Sequence, residues 1–291
     1  PESGGLRRLT VRLMNKAEDD RRSSVTDHFL FNCRIELTAR GCKFRPFTFN
    51  MLPKDYRYDR RLWGYGQNCC VEAPEEDMAN EARRLVTNAV PVYRQEKYVT
   101  ADRVEARFDK LSSDPAPVLH RIAAAMREYL SEWKNHIEDI ERTGRENAET
   151  IRERRADMTG FEDEIRRFQE GVQALSTYPK LMESFRLMNR VFRNAGAVKS
   201  YSSWRLFQIV FIVSLIPDVA SREPECQKDY PLSRLDTVDV LWFPTGGGKT
   251  ESYLGITVFT AFFDRLRGKH AGVSAWTRFP LRLLSLQQLQ R

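Results

Sequence analysis

Hydrophobic and polar positions divide the chain into three regions, the first of which, residues 1–100, is predicted to be rich in β-strands. The segments at 7–15, 27–39 and 43–50 alternate or are rich in β-branched and aromatic side chains, and polar or glycine-containing breaks separate them. A further segment at 55–68 interleaves arginine with tyrosine and tryptophan. That mixture suits stacking on single-stranded nucleic acid, but we favour a loop whose aromatic side chains pin a sheet edge.

The second region, residues 101–196, is predicted to be helical and to contain a long amphipathic hairpin. Apolar residues recur every three or four positions along two stretches, which the polar segment 142–147 separates. The first stripe is Leu119, Ile122, Met126, Leu130, Trp133, Ile137 and Ile140, and the second is Phe161, Ile165, Phe168, Val172 and Leu175. Two antiparallel helices follow from this pattern, and packing is a far commoner role for such stripes than ligand binding.

The third region, residues 197–291, has the pattern of an α/β domain. It begins with an apolar helix or strand (204–216) and a polar surface loop (221–234). It continues with an apolar strand (237–243), a glycine loop, a helix ending at Gly268, a second strand (271–277) and a last helix (281–291). Strand, loop, helix, strand and helix in this order predict a parallel sheet.

Composition and charge narrow the class of protein. With 41% hydrophobic and 30% charged residues, the 291-residue chain is expected to fold rather than to be disordered. The longest apolar run, 206–217, is shorter than the roughly 20 residues that cross a bilayer, and no apolar leader opens the chain. We therefore expect a cytoplasmic protein without a membrane segment. The net charge of +7 suits a polyanionic partner, although solubility alone would explain it.

The five cysteines and four histidines give no metal-ligand spacing. No CxxC pair occurs among Cys33, Cys42, Cys69, Cys70 and Cys226. Reduced, structural thiols are the expected state in a cytoplasm.

The segment "FPTGGGKT" (243–250) has the chemistry of a phosphate-binding loop. Gly246, Gly247 and Gly248 would let backbone N–H groups approach phosphates closely at the start of a helix. Lys249 is expected to reach the β- and γ-phosphates, and Thr250 to ligate Mg²⁺. These two are the predicted catalytic residues, with ATP and Mg²⁺ as cofactors. The other interpretation is a glycine-rich turn that happens to precede Lys and Thr, since Phe243 replaces the first glycine of the general motif.

Thr245 and Glu251 flank the glycines and complete the set of expected ATP-binding residues. Beyond them, the stretch from Arg265 to Arg291 contains six Lys and Arg residues and neither Asp nor Glu. A basic stretch of this kind suits contact with a nucleic-acid backbone.

Two motifs together resemble superfamily 2 helicases. "PTGGGKT" (244–250) looks like their motif I and "PLRLLSLQ" (280–287) like their motif Ia, with Leu281 in place of a threonine. The resemblance implies a RecA-like lobe, ATP hydrolysis and contact with single-stranded DNA, for which Arg278, Arg282 and Gln287 are the candidate residues. "WRLFQ" (204–208) is similar to the Q motif, so Gln208 would read the adenine edge. A buried glutamine in an apolar helix is nearly as good an interpretation.

Four segments, 52–69, 204–211, 241–255 and 278–291, resemble the DrmA family, the helicase-like component of DISARM anti-phage systems. This resemblance implies a bacterial DNA-binding ATPase that works with a DrmB-like partner. The expected fold class is α/β, with a partial RecA-like P-loop lobe preceded by a β-rich N-terminal domain and a helical hairpin region.

The second acidic motif of such motors is not found. After Lys249 the only acidic residues are Glu251 and Asp264, both in the helix that follows the loop. We therefore expect these 291 residues to be the N-terminal part of a longer motor, inactive alone. Two alternatives stay open: a DNA-binding and assembly platform with an incomplete P-loop, and the translocating part of a restriction system.

Overall fold

The structure is a computed structural model, and the chain divides in it into two compact units. One unit comprises residues 1–96 with 143–147, and the other residues 97–142 with 148–291. The structure describes residues 6–16, 32–49, 61–66, 69–74, 81–88, 103–144, 146, 148–199, 201–242 and 247–278, with the backbone alone at 196–199.

The described residues of the N-terminal unit form two small antiparallel sheets. Its strands are β1 (Glu36–Thr38), β2 (Phe47–Thr48), β3 (Arg61–Leu62), β4 (Cys70–Glu72) and β5 (Arg84–Asn88). One sheet has the order β1-β5-β4, and the other pairs β2 with β3. Strands thus form within the predicted strand segments 27–39 and 43–50, whereas β3 lies within 55–68, where a loop was favoured. Residues 27–31, 50, 55–60 and 67–68 of these segments lie outside the described residues.

The strand predicted at 7–15 is wrong. Residues 6–16 form no regular structure, and Leu9, Leu13 and Met14 are largely exposed. Alternation gives a segment the side chains of a strand, but a strand also needs a hydrogen-bonded neighbour. Residues 6–16 have none among the strand pairs of the described residues.

The second unit is mainly helical. Its elements are β6 (Ala106–Arg107), α1 (Phe108–Ser113), α2 (Ala116–Thr143), α3 (Ala148–Thr177), α4 (Pro179–Lys199), β7 (Ser203–Trp204), α5 (Leu206–Ser214), α6 (Ile216–Ala220) and α7 (Lys249–Leu266). Strands β6 and β7 pair antiparallel. None of the helices in the described ranges is both long and apolar enough to cross a membrane.

Helices α2 and α3 lie where the hairpin was predicted, and their side chains contact each other. Ion pairs join the two helices, from Lys134 Nζ to Glu162 at 2.8 Å and from Arg155 to Glu141 at 2.6 Å. Both helices bury residues of the predicted stripes. Ile137 and Ile140 of the first stripe also pack with Ile151 of α3 as a small cluster near the turn.

Helix α5 is the centre of the core of the second unit. Its Ile209, Ile212 and Val213 are completely buried between α3 and α7. Two glycines permit this close packing: a Cβ at Gly171 in α3 would lie 2.0 Å from the carbonyl oxygen of Val213, and one at Gly255 in α7 would lie 2.5 Å from Ile212 Cδ1. The apolar segment predicted as helix or strand is therefore a helix over most of its length, and close-packed neighbours fix it in place.

The surface loop predicted at 221–234 is partly buried. It forms two short 3₁₀ turns, and the side chains of Cys226 and Tyr230 are buried. Tyr178 of the α3–α4 junction donates a hydrogen bond to Asp229 at 2.5 Å.

All five cysteines are free thiols. Burial raises the pKa of the Cys226 thiol to about 11, so this thiol is structural.

The strands predicted at 237–243 and 271–277 are wrong for the residues described. Residues 237–242 and 271–277 form no strand, and every strand pair among the described residues is antiparallel. Val238, Val240 and Trp242 are 74–85% exposed, as is Trp276 at 84%. A buried parallel strand requires neighbours on both sides, and none is paired with these segments. The helix predicted at 281–291 lies outside the described residues.

Candidate functional site

The candidate site is the junction at which the glycine loop enters α7. Gly247 and Gly248 precede the helix, which begins at Lys249, and Thr250 and Glu251 complete its first turn. The first N–H groups of an α-helix have no partner within the helix and carry the positive end of its dipole. Lys249 and Thr250 are half-buried at this end. Thr245 and Gly246 lie outside the described residues.

Gly248 requires its lack of a side chain. Its φ of 92° is left-handed, and it is the N-cap of α7 without a side-chain cap. A Cβ there would stand 2.7 Å from Gln208 Nε2. Gly248 thus turns the backbone sharply into the helix.

Gln208 lies in α5 and holds the loop. Its Nε2 donates a hydrogen bond to the carbonyl oxygen of Gly248 at 2.8 Å, and its Oε1 accepts one from the backbone N–H of Arg205 at 2.8 Å. The side chain is 5% exposed. Both atoms of the amide are engaged within the protein, so Gln208 positions the loop; its contact with adenine stays a prediction.

Arg205 is a site residue that sequence reasoning missed. Its guanidinium donates a hydrogen bond from Nη1 to the carbonyl oxygen of Gly247, and the residue is otherwise exposed. Arg205 is also the N-cap of α5, three residues before Gln208. The signal was present in "WRLFQ", where a basic residue precedes the glutamine by almost one helical turn.

Arg205 is placed by a buried aromatic neighbour. Trp204 Nε1 donates to Asn189 Oδ1 at 2.8 Å, and the ring of Trp204 lies 4.3 Å from that of Phe192, between centroids. Trp204 and Asn189 are almost completely buried. The loop is therefore anchored through Arg205 and Trp204 to helix α4.

The hydroxyl group of Thr250 has a neighbour that was also missed. Tyr253, one turn later in α7, donates its hydroxyl hydrogen bond to Thr250 Oγ1 at 3.0 Å. A threonine oxygen has two lone pairs, so this bond leaves one for a cation. Within the described ranges no group of three or more His, Cys, Asp or Glu side chains is arranged to hold a metal ion.

Charged side chains fasten the segment that leads into the loop. Arg167 of α3 pairs with Asp239 at 2.6 Å and with Asp218 at 3.3 Å, and Arg234 pairs with Asp218 at 2.7 Å and Glu170 at 3.0 Å. These ion pairs hold residues 234–239 against helix α3.

Asp264 is not near the loop. It lies close to the C-terminal end of α7, about 20 Å from Lys249 along the helix. Burial alone would raise the pKa of this carboxyl, but hydrogen bonds from Lys269, Ser274 and Arg267 outweigh it and hold the pKa below its ordinary value. Asp264 is thus a structural anion, and of the two acids after Lys249 only Glu251 lies at the site.

The second predicted contact region is largely beyond the described residues. Arg278 is exposed in an irregular segment, whereas Arg282 and Gln287 lie outside. The structure therefore brings together Gln208, Gly247, Gly248, Lys249 and Thr250, with Glu251 in the same helical turn.

Comparison with known proteins finds a similar protein in a bacterium. The chain is 26% identical to the DISARM protein DrmA of Bacillus paralicheniformis, over an alignment of 330 positions that covers 97% of this chain. This chain is similar to DrmA. The resemblance that the motifs predicted is thereby confirmed along nearly the whole chain. The chain spans 28% of the length of that DrmA protein. No family model matches the chain.

Proposed function

We propose that this chain carries the nucleotide-phosphate site of an ATP-dependent DNA translocase or helicase in a DISARM-like anti-phage system. The observation that carries the proposal is the left-handed Gly248 at the start of α7, followed directly by Lys249 and Thr250 and held by Gln208. The similarity to DrmA supports the defence role. The junction would be part of a RecA-like lobe.

The residues of the junction fit a triphosphate. The backbone N–H groups at the start of α7 and the dipole of this helix attract anionic oxygens, and Lys249 adds a full positive charge at the same end. Thr250 would hold Mg²⁺ through its remaining lone pair. Gln208 and Arg205 bind loop carbonyls, which keeps those oxygens turned away from the phosphates. Bound ATP supplies a transferable phosphoryl group, and its hydrolysis releases the free energy for movement.

DNA and a protein partner complete the proposal. Arg278, Arg282 and Gln287 would contact a DNA strand, and a DrmB-like protein would be the partner in a cytoplasmic complex. The basic stretch in which the three residues stand supports a backbone contact.

A second candidate is a DNA-binding and assembly platform. The position of Asp264 favours the platform for residues 1–291 alone, because Asp264 is bound in ion pairs at the end of α7 that lies far from the phosphate loop. We expect residues 1–291 by themselves to bind ATP weakly and not to hydrolyse it. DNA-stimulated hydrolysis by this stretch alone would exclude the platform.

The test is Lys249→Ala in the intact natural protein. Loss of the ammonium removes the charge that stabilises the transferring phosphoryl group, so DNA-stimulated ATPase activity should fall by about 100-fold or more. Lys228→Ala is the matched control, because Lys228 is an exposed lysine in the loop at 221–234. Both variants should retain the wild-type circular dichroism spectrum. Unchanged turnover in Lys249→Ala would refute the proposed function.

A further inference from the structure

Helix α4 presents three arginines on one side. Arg186, Arg190 and Arg193 follow at spacings of four and three residues, which places them within about 60° of one another around the helix. Arg190 and Arg193 are exposed and Arg186 is half-exposed. We call these three residues the α4 arginine stripe.

The charge of the stripe is not neutralised. Within the part of the chain that the structure describes, none of the three has a carboxylate at ion-pair distance, and Arg186 Nε is buried without a hydrogen-bond acceptor. Glu183 is the only acidic residue of α4. In α3, by contrast, Arg155, Arg166 and Arg167 each pair with a carboxylate at 2.6 Å.

Like charges four residues apart destabilise a helix, and Arg186 and Arg190 stand at that spacing. Two arginines of α2, Arg121 and Arg127, are also exposed and without an ion pair among the described residues, but their spacing of six puts them on different faces. The α4 stripe therefore differs from the two α2 arginines in its geometry.

Helix α4 also contacts the segment that holds the phosphate loop. Asn189 accepts the hydrogen bond of Trp204, and Phe192 packs on the same indole ring. The next residue, Arg205, binds the carbonyl oxygen of Gly247. A chain of contacts through Asn189, Trp204 and Arg205 therefore connects α4 with the phosphate loop.

We propose that the α4 arginine stripe binds the sugar-phosphate backbone of DNA, as a contact separate from Arg278, Arg282 and Gln287. From Arg186 to Arg193 the helix rises about 10 Å, which matches roughly three phosphates at 3.4 Å per charge along one strand. Guanidinium groups bind phosphate oxygens through paired N–H donors. The inference rests on the proposed DNA-dependent function.

The experiment compares two double variants of the intact natural protein. Arg190→Ala with Arg193→Ala removes two exposed, unpaired arginines from α4, and Arg121→Ala with Arg127→Ala removes two from α2. Binding of a fluorescent oligo-dT of about 20 nucleotides is measured by anisotropy, without nucleotide, across roughly 50–200 mM salt.

The α4 double variant should lower the slope of log K against log salt by about 1.4, which is two phosphate contacts at 0.7 each. If the variant and the wild type bind equally at 1 M salt, this difference in slope makes the variant's affinity roughly 25-fold lower at 0.1 M salt. The α2 double variant should bind as wild type does. Arg190→Lys with Arg193→Lys should keep the wild-type slope, which separates lost charge from lost folding.

Each contrary result has a distinct meaning. A wild-type slope in the α4 double variant would overturn the inference and leave the proposed function standing. Equal losses in the α2 and α4 variants would show an effect of net charge and would also overturn it. Retained DNA binding with loss of a protein partner would assign the stripe to that partner instead. A wild-type protein that binds no DNA would overturn both the inference and the proposed DNA dependence.

Discussion

Gly248 combines two constraints on a single residue. Its left-handed φ of 92° disfavours any L side chain, and the space where a Cβ would stand is filled by Gln208 Nε2. Its carbonyl oxygen accepts the hydrogen bond from the same atom. The conformation of the loop and the position of Gln208 are therefore coupled, so that a change in one displaces the other.

Replacement of Gly248 by alanine tests that coupling. The new methyl group would push Gln208 out of its hydrogen bond and open the loop, so we expect the affinity for a fluorescent ATP analogue to fall about tenfold or more. Gly268→Ala is the control, since Gly268 has a φ of 90° and no atom within 4 Å of its Cβ position. It should lose about 1–2 kcal/mol of stability without loss of nucleotide affinity. Equal affinities in the two variants would contradict the assignment.

The sequence predicted part of this site and not the rest, for physical reasons. Lys249 and Thr250 follow the glycines within one segment, so local spacing was enough to place them at a helix start. Arg205 reaches Gly247 across 42 positions of the chain. Contacts of that kind depend on how α5 packs against α7, which no local pattern specifies.

At the scale of elements, α3 and α5 approach each other closely at Gly171. A Cβ at Gly171 would lie 2.0 Å from Val213 O and 2.7 Å from its carbonyl carbon, both of them backbone atoms. A side-chain rotation cannot relieve such a clash. The two helices would have to separate, and the buried Phe168 and Ile212 beside them would lose contacts.

Gly171→Ala should therefore destabilise the protein by about 3 kcal/mol or more, even though alanine favours helix by about 1 kcal/mol. Gly160→Ala in the same helix is the matched control, because Gly160 is exposed with nothing within 4 Å of its Cβ position. It should stabilise by about 0.5–1 kcal/mol. Urea unfolding of both variants measures the difference, and stabilisation by Gly171→Ala would show that the helices are not in close contact there.

Helices were predicted better than strands because their patterns are local. The predicted stripes of α2 and α3 run over about six and about four turns, and most of their residues are buried or half-buried. Segments 237–242 and 271–277 have the composition of strands, but hydrogen bonds from a distant neighbour decide whether a strand forms. The exposed Val238, Val240 and Trp276 show that side-chain character alone does not provide that neighbour.

At the scale of the whole molecule, stability depends on a few buried charges as well as on the apolar core. Asp264 is 2% exposed and binds Lys269 Nζ at 2.7 Å and Arg267 Nε at 3.0 Å. Lys269 Nζ also donates to Val273 O at 2.7 Å, so the carboxylate organises the whole turn after α7. Arg267 extends the contact to Glu223 at 3.6 Å, in the loop at 221–234.

This cluster predicts how the stability of the protein depends on pH. Because the pKa of Asp264 is lower in the folded state than the ordinary value of about 3.9, its ionised form stabilises the fold above about pH 4, and that contribution is lost as the pH falls through the folded-state pKa. Asp264→Asn should cost about 2–3 kcal/mol at neutral pH, because two charged hydrogen bonds are weakened. The gap between variant and wild type should narrow below about pH 4.

Urea unfolding at neutral and acidic pH measures that gap directly, with Asp236→Asn as the control. Asp236 is exposed in the second 3₁₀ turn, so its replacement changes the net charge equally and should leave stability almost unchanged at both pH values. A gap for Asp264→Asn that stays constant from neutral to acidic pH would mean that the ionised carboxylate contributes nothing beyond its shape. Packing rather than charge would then hold the turn after α7 and the segment that leads from it to Arg278.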